Sequence, residues 1–336
     1  MRVGFNPHKD KKIEAPDYLH QVIIPVYIPK HEGYFKDSFA IFKLCLQSLF
    51  TTIHEKTFVS IINNGSDEIV SNYLDLLLKE KKIHELTHIE NIGKVNAILK
   101  GLVGNKIEIV TISDADVLFL PNWQTETVKV FNTLPKAGVV GLVPQFKTYE
   151  TYCGNVLFDN MLSSKLRFLP VKNKEGLMRF YDSLGWDKTY NQNYLEYALG
   201  LQINDEFSVL LGSGHFVASY KKDVFENVIS YNGYKLGGKS ETYLDRLLLD
   251  KDYWRLTTRD NYAYHMGNTL ENWMNDCINH DLENPIIIPN SRKRKRVNRV
   301  LYFIKNRIFV KFISTKFLVK LFLRWKKLPK SMIHKY

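Results

Sequence analysis

Two aspartates at the end of an apolar run constrain this chain more than any other feature. Ile107 to Phe119 reads IEIVTISDADVLF. Its first half is β-branched and apolar, the composition of a buried strand, and it stops at Ser113-Asp114-Ala115-Asp116. In open α/β sheets ligands gather at the carboxyl ends of the strands, so carboxylates at that point face a bound molecule. At spacing i, i+2 in an extended segment Asp114 and Asp116 share one side, where their repulsion calls for a cation. Mg²⁺ or Mn²⁺ carrying a diphosphate suits them, because these hard ions take carboxylate and phosphate oxygens together. The plainer alternative is that Asp114 opens a turn and Asp116 caps the next element. Asp-x-Asp spacing alone leaves both readings open.

Strand and helix alternate around that segment. Gln21 to Ile28 (QVIIPVYI) has the composition of a first strand, and Asp37 to Thr52 repeats apolar residues at helical spacing through Phe39, Phe42, Leu46 and Leu49. Thr57 to Ile62 (TFVSII) is a second strand, stopped by the turn chemistry of Asn63-Asn64-Gly65-Ser66. Helical periodicity returns over Ile69 to Lys82. Thr87 to Glu90 is a short third strand, Gly93 to Leu102 a helix, and Ile107 to Ile112 the fourth strand, which carries the aspartates. Crossovers of about ten to twenty-five residues imply a mostly parallel sheet covered by helices. Further on, Val139 to Phe146 is expected to be a core strand and Asn155 to Arg167 a helix, whereas Lys172 to Asn193 shows no clear period.

The net charge of +12 suggests nucleic acid until it is divided along the chain. From Ser291 onward there are 16 Lys and Arg and neither Asp nor Glu, which leaves 31 basic against 35 acidic residues in the first 290. The body is therefore mildly acidic, and the excess positive charge is an appendage. Cys45, Cys153 and Cys277 lie far apart with no paired spacing, which argues against a disulfide scaffold or a cysteine zinc site and fits a reducing compartment. MRVGFNPHKDKK has no apolar h-region, and nowhere do eighteen apolar residues run together, so the expectation is a chain neither secreted nor membrane-spanning.

Four segments taken together resemble a family. Pro25-Val26-Tyr27, Asn63-Asn64-Gly65-Ser66-Asp67, Asn91-Ile92-Gly93-Lys94 with Ala97, and Asp114-Ala115-Asp116 resemble, in that order, the nucleotide-binding half of a family 2 glycosyltransferase of the GT-A fold. The resemblance covers about residues 20 to 270. It implies an α/β, Rossmann-like sheet in a domain over residues 1–290, with a nucleotide-binding half at about 20–146 and an acceptor half at about 147–290. Pro25, Tyr27, Asn64, Lys94 and Asp114 would then meet a nucleotide-sugar donor, and Asp114 and Asp116 the Mn²⁺ or Mg²⁺ with its diphosphate. Asn-Asn stands where the family often has Asp-Asp. Asn64 both accepts and donates, so a base contact survives in kind while the base preferred stays open. A plain good turn is the alternative, and it is the reading favoured for Asn63.

The acceptor half carries three further marks. Leu210 to Tyr220 (LLGSGHFVASY) resembles the family's entry into that half, with small residues that let backbone approach a donor sugar; His215 is assigned a structural role. Alignment on Asp252-Tyr253 puts the family's catalytic carboxylate at Glu241, with Asp245 the second candidate. Such a base takes the proton of a sugar hydroxyl as it attacks the anomeric carbon. An ordinary helix cap at Ser240-Glu241 is the competing explanation. His265, between Tyr264 and Gly267, is either a metal ligand or a core histidine. The resemblance thus implies inverting, metal-dependent transfer of a sugar to a hydroxyl of a glycan or lipid-linked acceptor in cell-surface polysaccharide synthesis. A sugar nucleotidyltransferase is the first alternative, although Pro25 to Gly33 holds only one glycine for a phosphate loop. A non-catalytic, membrane-associated binding protein is the second.

Residues 291–336 form the appendage. Arg292-Lys293-Arg294-Lys295-Arg296 leads into Val297, Val300, Leu301, Ile304, Ile308, Phe312, Leu318, Leu321, Phe322 and Trp325 at three- and four-residue steps, interrupted by lysine and arginine. A basic amphipathic helix of this kind suits the anionic surface of a membrane over about 291–330, placing the protein in the cytoplasm on the inner face of the cell membrane. Nucleic acid is disfavoured, because such helices do not need so many large apolar residues. Packing on the body or on a second copy in an oligomer remains open.

Overall fold

The computed structural model describes residues 4–12, 17–278, 284–290 and 293–336. Every residue of β1 (His20–Val26) is buried, because it has parallel partners on both sides. Both of its polar side chains find donors or acceptors inside the core, although Gln21 Oε1 has no partner among the described residues. His20 Nε2 meets Thr111 Oγ1 at 2.6 Å, and Gln21 Nε2 donates to Ser60 Oγ and Gly101 O. Burial drives the His20 pKa down to about 3, so the ring is neutral. Around it follow α1 (Ser38–Thr52), β2 (Thr57–Asn64), α2 (Glu68–Lys79), β3 (Glu85–Ile89), α3 (Lys94–Gly101) and β4 (Ile109–Ser113), in the order the periodicities imply. Asp67 caps α2 by accepting from Val70 N.

The second half adds β5 (Val117–Phe119), α4 (Trp123–Thr133), β6 (Ala137–Gly141), α5 (Gly154–Asn160), β7 (Leu166–Pro170), α6 (Lys174–Ser183), β8 (Tyr197–Gln202), β9 (Ser208–Leu211), β10 (Val217–Lys221), α7 (Gly238–Leu247), β11 (Trp254–Thr258), β12 (Ala263–His265) and α8 (Asn272–Asp276). One sheet of ten strands runs β3-β2-β1-β4-β10-β6-β11-β9-β8-β7. The pairings make seven of the ten (β1, β2, β3, β4, β6, β8 and β11) point the same way, so the α/β, mostly parallel architecture holds. Two placements matter for function. Antiparallel β10 lies between β4 and β6, which sets the turn before Val217 beside the end of β4. The small sheet of β12 and β5 pairs His265 with Val117, one residue from Asp116.

Three local expectations give way to tertiary structure. The strand over 139–146 ends at Gly141. The helix over 155–167 stops at Asn160, and Arg167 lies in β7, where pairing with β8 overrides a weak helical period. The aperiodic 172–193 contains α6, whose buried stripe is only Leu177, Phe180 and Tyr181 with Gly176.

The C-terminal segment docks on the body. It comprises α9 (Arg299–Phe303), a π-helical turn over Ile304–Ile308, α10 (Phe309–Ile313) and α11 (Lys316–Trp325); Arg292 lies outside the described residues. Phe322, Leu323 and Leu328 are buried in the cluster around Phe168, Leu199 and Leu256. Lys305 is 4% exposed, with its Nζ 2.7 Å from Asp159 Oδ1 and 2.8 Å from Asp252 Oδ2, beside Lys136, which binds the same two carboxylates. Gly154 sits flush against this turn: a Cβ there would lie 2.7 Å from Lys305 O and 2.5 Å from Val310 Cγ2. Lys305→Ala leaves Asp159 and Asp252 short of one cation and should cost about 3 kcal/mol, read as a lower urea midpoint. An unchanged midpoint would mean that this network does not hold the segment down.

Candidate active site

A cleft of about 510 Å³ opens where β1, β2 and β4 end, lined by Pro25, Tyr27, Asn64, Lys94, Asp114 and Asp116. These are the residues that strand termini and the α3 N-terminus deliver to one sheet edge. Asn64 Oδ1 accepts from Ile92 N at 3.0 Å, which ties the turn after β2 to the loop before α3. Asn63 is wholly engaged in its turn, bonded to Ser66 N, Ser71 Oγ and His88 Nδ1. Gly93 has φ +90°, and a Cβ there would lie 2.7 Å from Tyr234 O. Only glycine lets Lys94 N reach Lys235 O at 2.9 Å and so brings the 232–236 segment over the cleft.

Asp114 and Asp116 line the same cleft but have different partners. The Lys94 ammonium sits astride the Asp114 carboxylate, 2.7 Å from Oδ1 and 2.8 Å from Oδ2, with the hydrogen-bond angle favouring Oδ2. The same Nζ is 2.8 Å from Glu241 Oε1, on α7. Glu241 Oε2 receives His215 Nε2 at 2.9 Å, and His215 Nδ1 lies 3.9 Å from Asp245 Oδ2. Arg255 closes the row, donating to Asp245 Oδ1 at 2.7 Å from a side chain only 3% exposed. Asp114, Lys94, Glu241, His215, Asp245 and Arg255 therefore alternate in sign from the cleft through α7 to β11.

The row perturbs its members strongly. Burial opposes the charge on Lys94, yet Asp114 and Glu241 outweigh it and raise the pKa. Burial likewise pushes Glu241 up, but the His215 hydrogen bond and the Lys94 charge hold it down at about 2. His215, disfavoured as a cation by burial, is raised to about 9 by its bonds to Asp245 and Glu241. Imidazolium and carboxylate thus coexist at neutral pH.

Asp116 is set differently. Its Oδ1 is buried and accepts no hydrogen bond among the described residues, while Oδ2 lies 3.4 Å from His265 Nε2. Burial, with the Asp114 charge adding to it, raises the Asp116 pKa against the pull of His265 and Lys94. Ser183 Oγ meets His265 Nδ1 at 2.8 Å and fixes the ring. Among the described residues no three His, Cys, Asp or Glu side chains converge as a cation cage. The unpartnered Asp116 oxygen and the adjacent imidazole nonetheless fit an ion that arrives with its phosphates, which supply the remaining oxygens. Asp114 is committed to Lys94.

The geometry brings together Lys94, Asp114 and Glu241, with Asp245 one imidazole beyond, and separately Asp116 with His265. Pro25, Tyr27 and Asn64 line the same cleft. His215, Arg255 and Ser183 join the site although sequence reasoning did not nominate them. The Gly-Ser-Gly-His turn was the one signal for His215; Arg255 and Ser183 carry none. Because the folded His215 pKa lies above its ordinary value of 6.5, its contribution to stability is fully present below about pH 6.5 and is lost as pH rises through about 9. Thermal melts should show a gap between wild type and His215→Asn at pH 6 that closes by about pH 10. A gap of equal width at both ends would show that charge does not hold this contact.

Comparison with known proteins gives the following similarities. A family model described as glycosyl transferase family 2 matches residues 22–185. A search of curated proteins found no match. Among solved structures, Staphylococcus (S.) aureus TarS 1-349 is similar at 12% identity and a TM-score of 0.44, over 74% of this chain and 60% of that one. Its complex with UDP-GlcNAc is similar at 13% identity and a TM-score of 0.44, over 79% and 68%. The mannosyltransferase PcManGT from Pyrobaculum calidifontis, in complex with GDP-Man and Mn²⁺, is similar at 16% identity and a TM-score of 0.41, over 74% and 56%. This chain thus spans 60% and 56% of the length of TarS 1-349 and PcManGT. Residues 22–185, which include Lys94 and both aspartates of the cleft, are thus similar to glycosyl transferase family 2.

Proposed function

We propose that the protein transfers a sugar from a nucleoside diphosphate donor to a hydroxyl of a glycan or lipid-linked acceptor, with inversion at the anomeric carbon. The observation that carries this is the placement of Lys94 between Asp114 in the cleft and Glu241 in the acceptor half, at 2.7 Å and 2.8 Å. The nucleoside lies along Pro25, Tyr27 and Asn64, and the diphosphate reaches Lys94. Asp116 and His265, with Asp114 nearby, hold Mn²⁺ or Mg²⁺, which when bound neutralises charge developing on the leaving diphosphate. Glu241 takes the acceptor proton while the acceptor oxygen bonds to the anomeric carbon and the bond to the phosphate oxygen breaks.

A carboxylate held near pKa 2 is a weak base. Diphosphate competes with Glu241 for Lys94, so donor binding withdraws one of the two cations that stabilise the Glu241 anion and raises its basicity. Deprotonation of the acceptor is thereby coupled to the presence of donor. No described helix is long and apolar enough to cross a membrane. The C-terminal segment bears exposed Phe312, Phe317 and Trp325 among cationic side chains, which supports peripheral attachment to an anionic membrane surface.

Incubation with a panel of nucleotide sugars and Mn²⁺ should release nucleoside diphosphate with at least one donor. Glu241→Gln should lower kcat by about 100-fold or more while donor binding persists. Silence across the panel would sink the activity. Retained anomeric configuration in the product would remove Glu241 from its role as base.

A further inference from the structure

Two apolar hollows at the C-terminal segment are left once the cleft is assigned. One, about 530 Å³, lies between segment and body, walled by Tyr149, Leu157 and Leu249 on one side and by Val310, Val319 and Leu323 on the other. The second, about 790 Å³, opens outward along Phe309, Phe312, Leu321 and Trp325. Ile313 and Phe322 line both, so the hollows are neighbours on either side of these two side chains. Each is in the size range of small-molecule sites.

Charge decides what would enter. Lys311, Lys316, Lys320 and Arg324 are exposed around α10 and α11, and no Asp or Glu occurs from residue 291 onward; the one carboxylate lining the first hollow among the described residues, Glu150 of the body, is paired with Lys147 at 2.7 Å. Such a rim draws an anionic head group. Phe312 and Trp325, 61% and 52% exposed at the mouth, are apolar surface that a hydrocarbon chain would cover. At the inner end Thr151 lines the first hollow and its carbonyl accepts from Arg255 Nη1 at 2.8 Å, while Arg255 Nη2 holds Asp245. One side chain therefore separates this end from the charged row that includes Glu241.

We propose that these neighbouring hollows bind the hydrocarbon chain of an anionic, phosphate-bearing amphiphile, with its head group among the lysines and Arg324. This rests on the glycosyltransferase reading only in identifying the amphiphile with a lipid-linked acceptor; the binding itself needs no sugar transfer. It goes beyond surface attachment because the chain enters a cavity as a monomer.

Calorimetric titration of the full chain with dodecyl phosphate, kept below its micelle concentration, tests it. Saturable binding of one molecule per chain is expected, at least about tenfold tighter than dodecyl maltoside. Val319→Trp fills the inner hollow and should weaken dodecyl phosphate about tenfold. Because that change risks dislodging the segment, Lys320→Glu/Arg324→Glu on the exposed rim is measured beside it, and should weaken dodecyl phosphate while leaving dodecyl maltoside unchanged. Circular dichroism melts and donor-nucleotide binding report on the integrity of each variant. Equal affinity for the two head groups, undiminished binding by both variants, or binding to anionic vesicles without uptake of the monomer would each overturn the proposal. These outcomes are independent of nucleoside diphosphate release, so failure here is distinguishable from failure of the activity.

Discussion

A lysine shared by two carboxylates is the interaction on which the rest of this molecule turns. Lys94 begins α3, Asp114 ends β4 and Glu241 lies on α7, 147 residues from Lys94 in sequence. Lys94 and Glu241 are mostly withdrawn from water, with side chains 14% and 12% exposed, so each charge depends on the other and on a second charged partner, Asp114 for Lys94 and His215 for Glu241. His215, Asp245 and Arg255 continue the alternation until the row is neutral overall. A balanced row is sensitive to any charge that enters at one end. An anion bound beside Lys94 would compete with Glu241 for the same ammonium.

The sheet explains how such a row is assembled. Parallel strands alone would place β6 beside β4, with no antiparallel turn at the end of β4. Antiparallel β10 takes that position, with Val217 opposite Ser113, and Asp114 N donates to Phe216 O at 2.7 Å. The turn before it must be small for steric reasons. Gly212 has φ +89°, and a Cβ there would lie 2.4 Å from the Thr148 carbonyl. Glycine at this position is thus a packing requirement of the turn that also delivers His215 to Glu241.

The parts legible in the sequence are those whose signals are local. Through β4 each element is long, periodic and bounded by turn residues, and each forms within a few residues of where the pattern puts it. The Asp pair, Lys94 and Glu241 were readable because a family pattern marks them. Their pairing was not, since no spacing rule reports a contact across 147 residues. Asp114 illustrates the difference: its position was evident, whereas its partner is an ammonium from α3 and a cation has only Asp116 and His265 clear of it. His215 failed for a related reason, because a histidine beside a strand looks the same whether its neighbours are apolar or acidic. In α6 only Leu177, Phe180 and Tyr181 mark the buried stripe, which is too few to stand out from polar surroundings.

The positive charge of the C-terminal segment divides according to what each side chain meets. Lys305 and Lys326 are buried, the first on Asp159 and Asp252, the second on the carbonyls of Met161 and Ser163. These two serve attachment to the body, and the mild negative charge of the first 290 residues supplies the carboxylates. Lys311, Lys316, Lys320 and Arg324 find no such complement and remain in solvent. An amphipathic helix docked by one stripe ordinarily turns a purely polar face outward. Here α10 and α11 turn outward large apolar side chains as well, so docking on the body satisfies only half of the pattern. The other half, with Phe312, Phe317 and Trp325 exposed among cationic side chains, is left facing solvent.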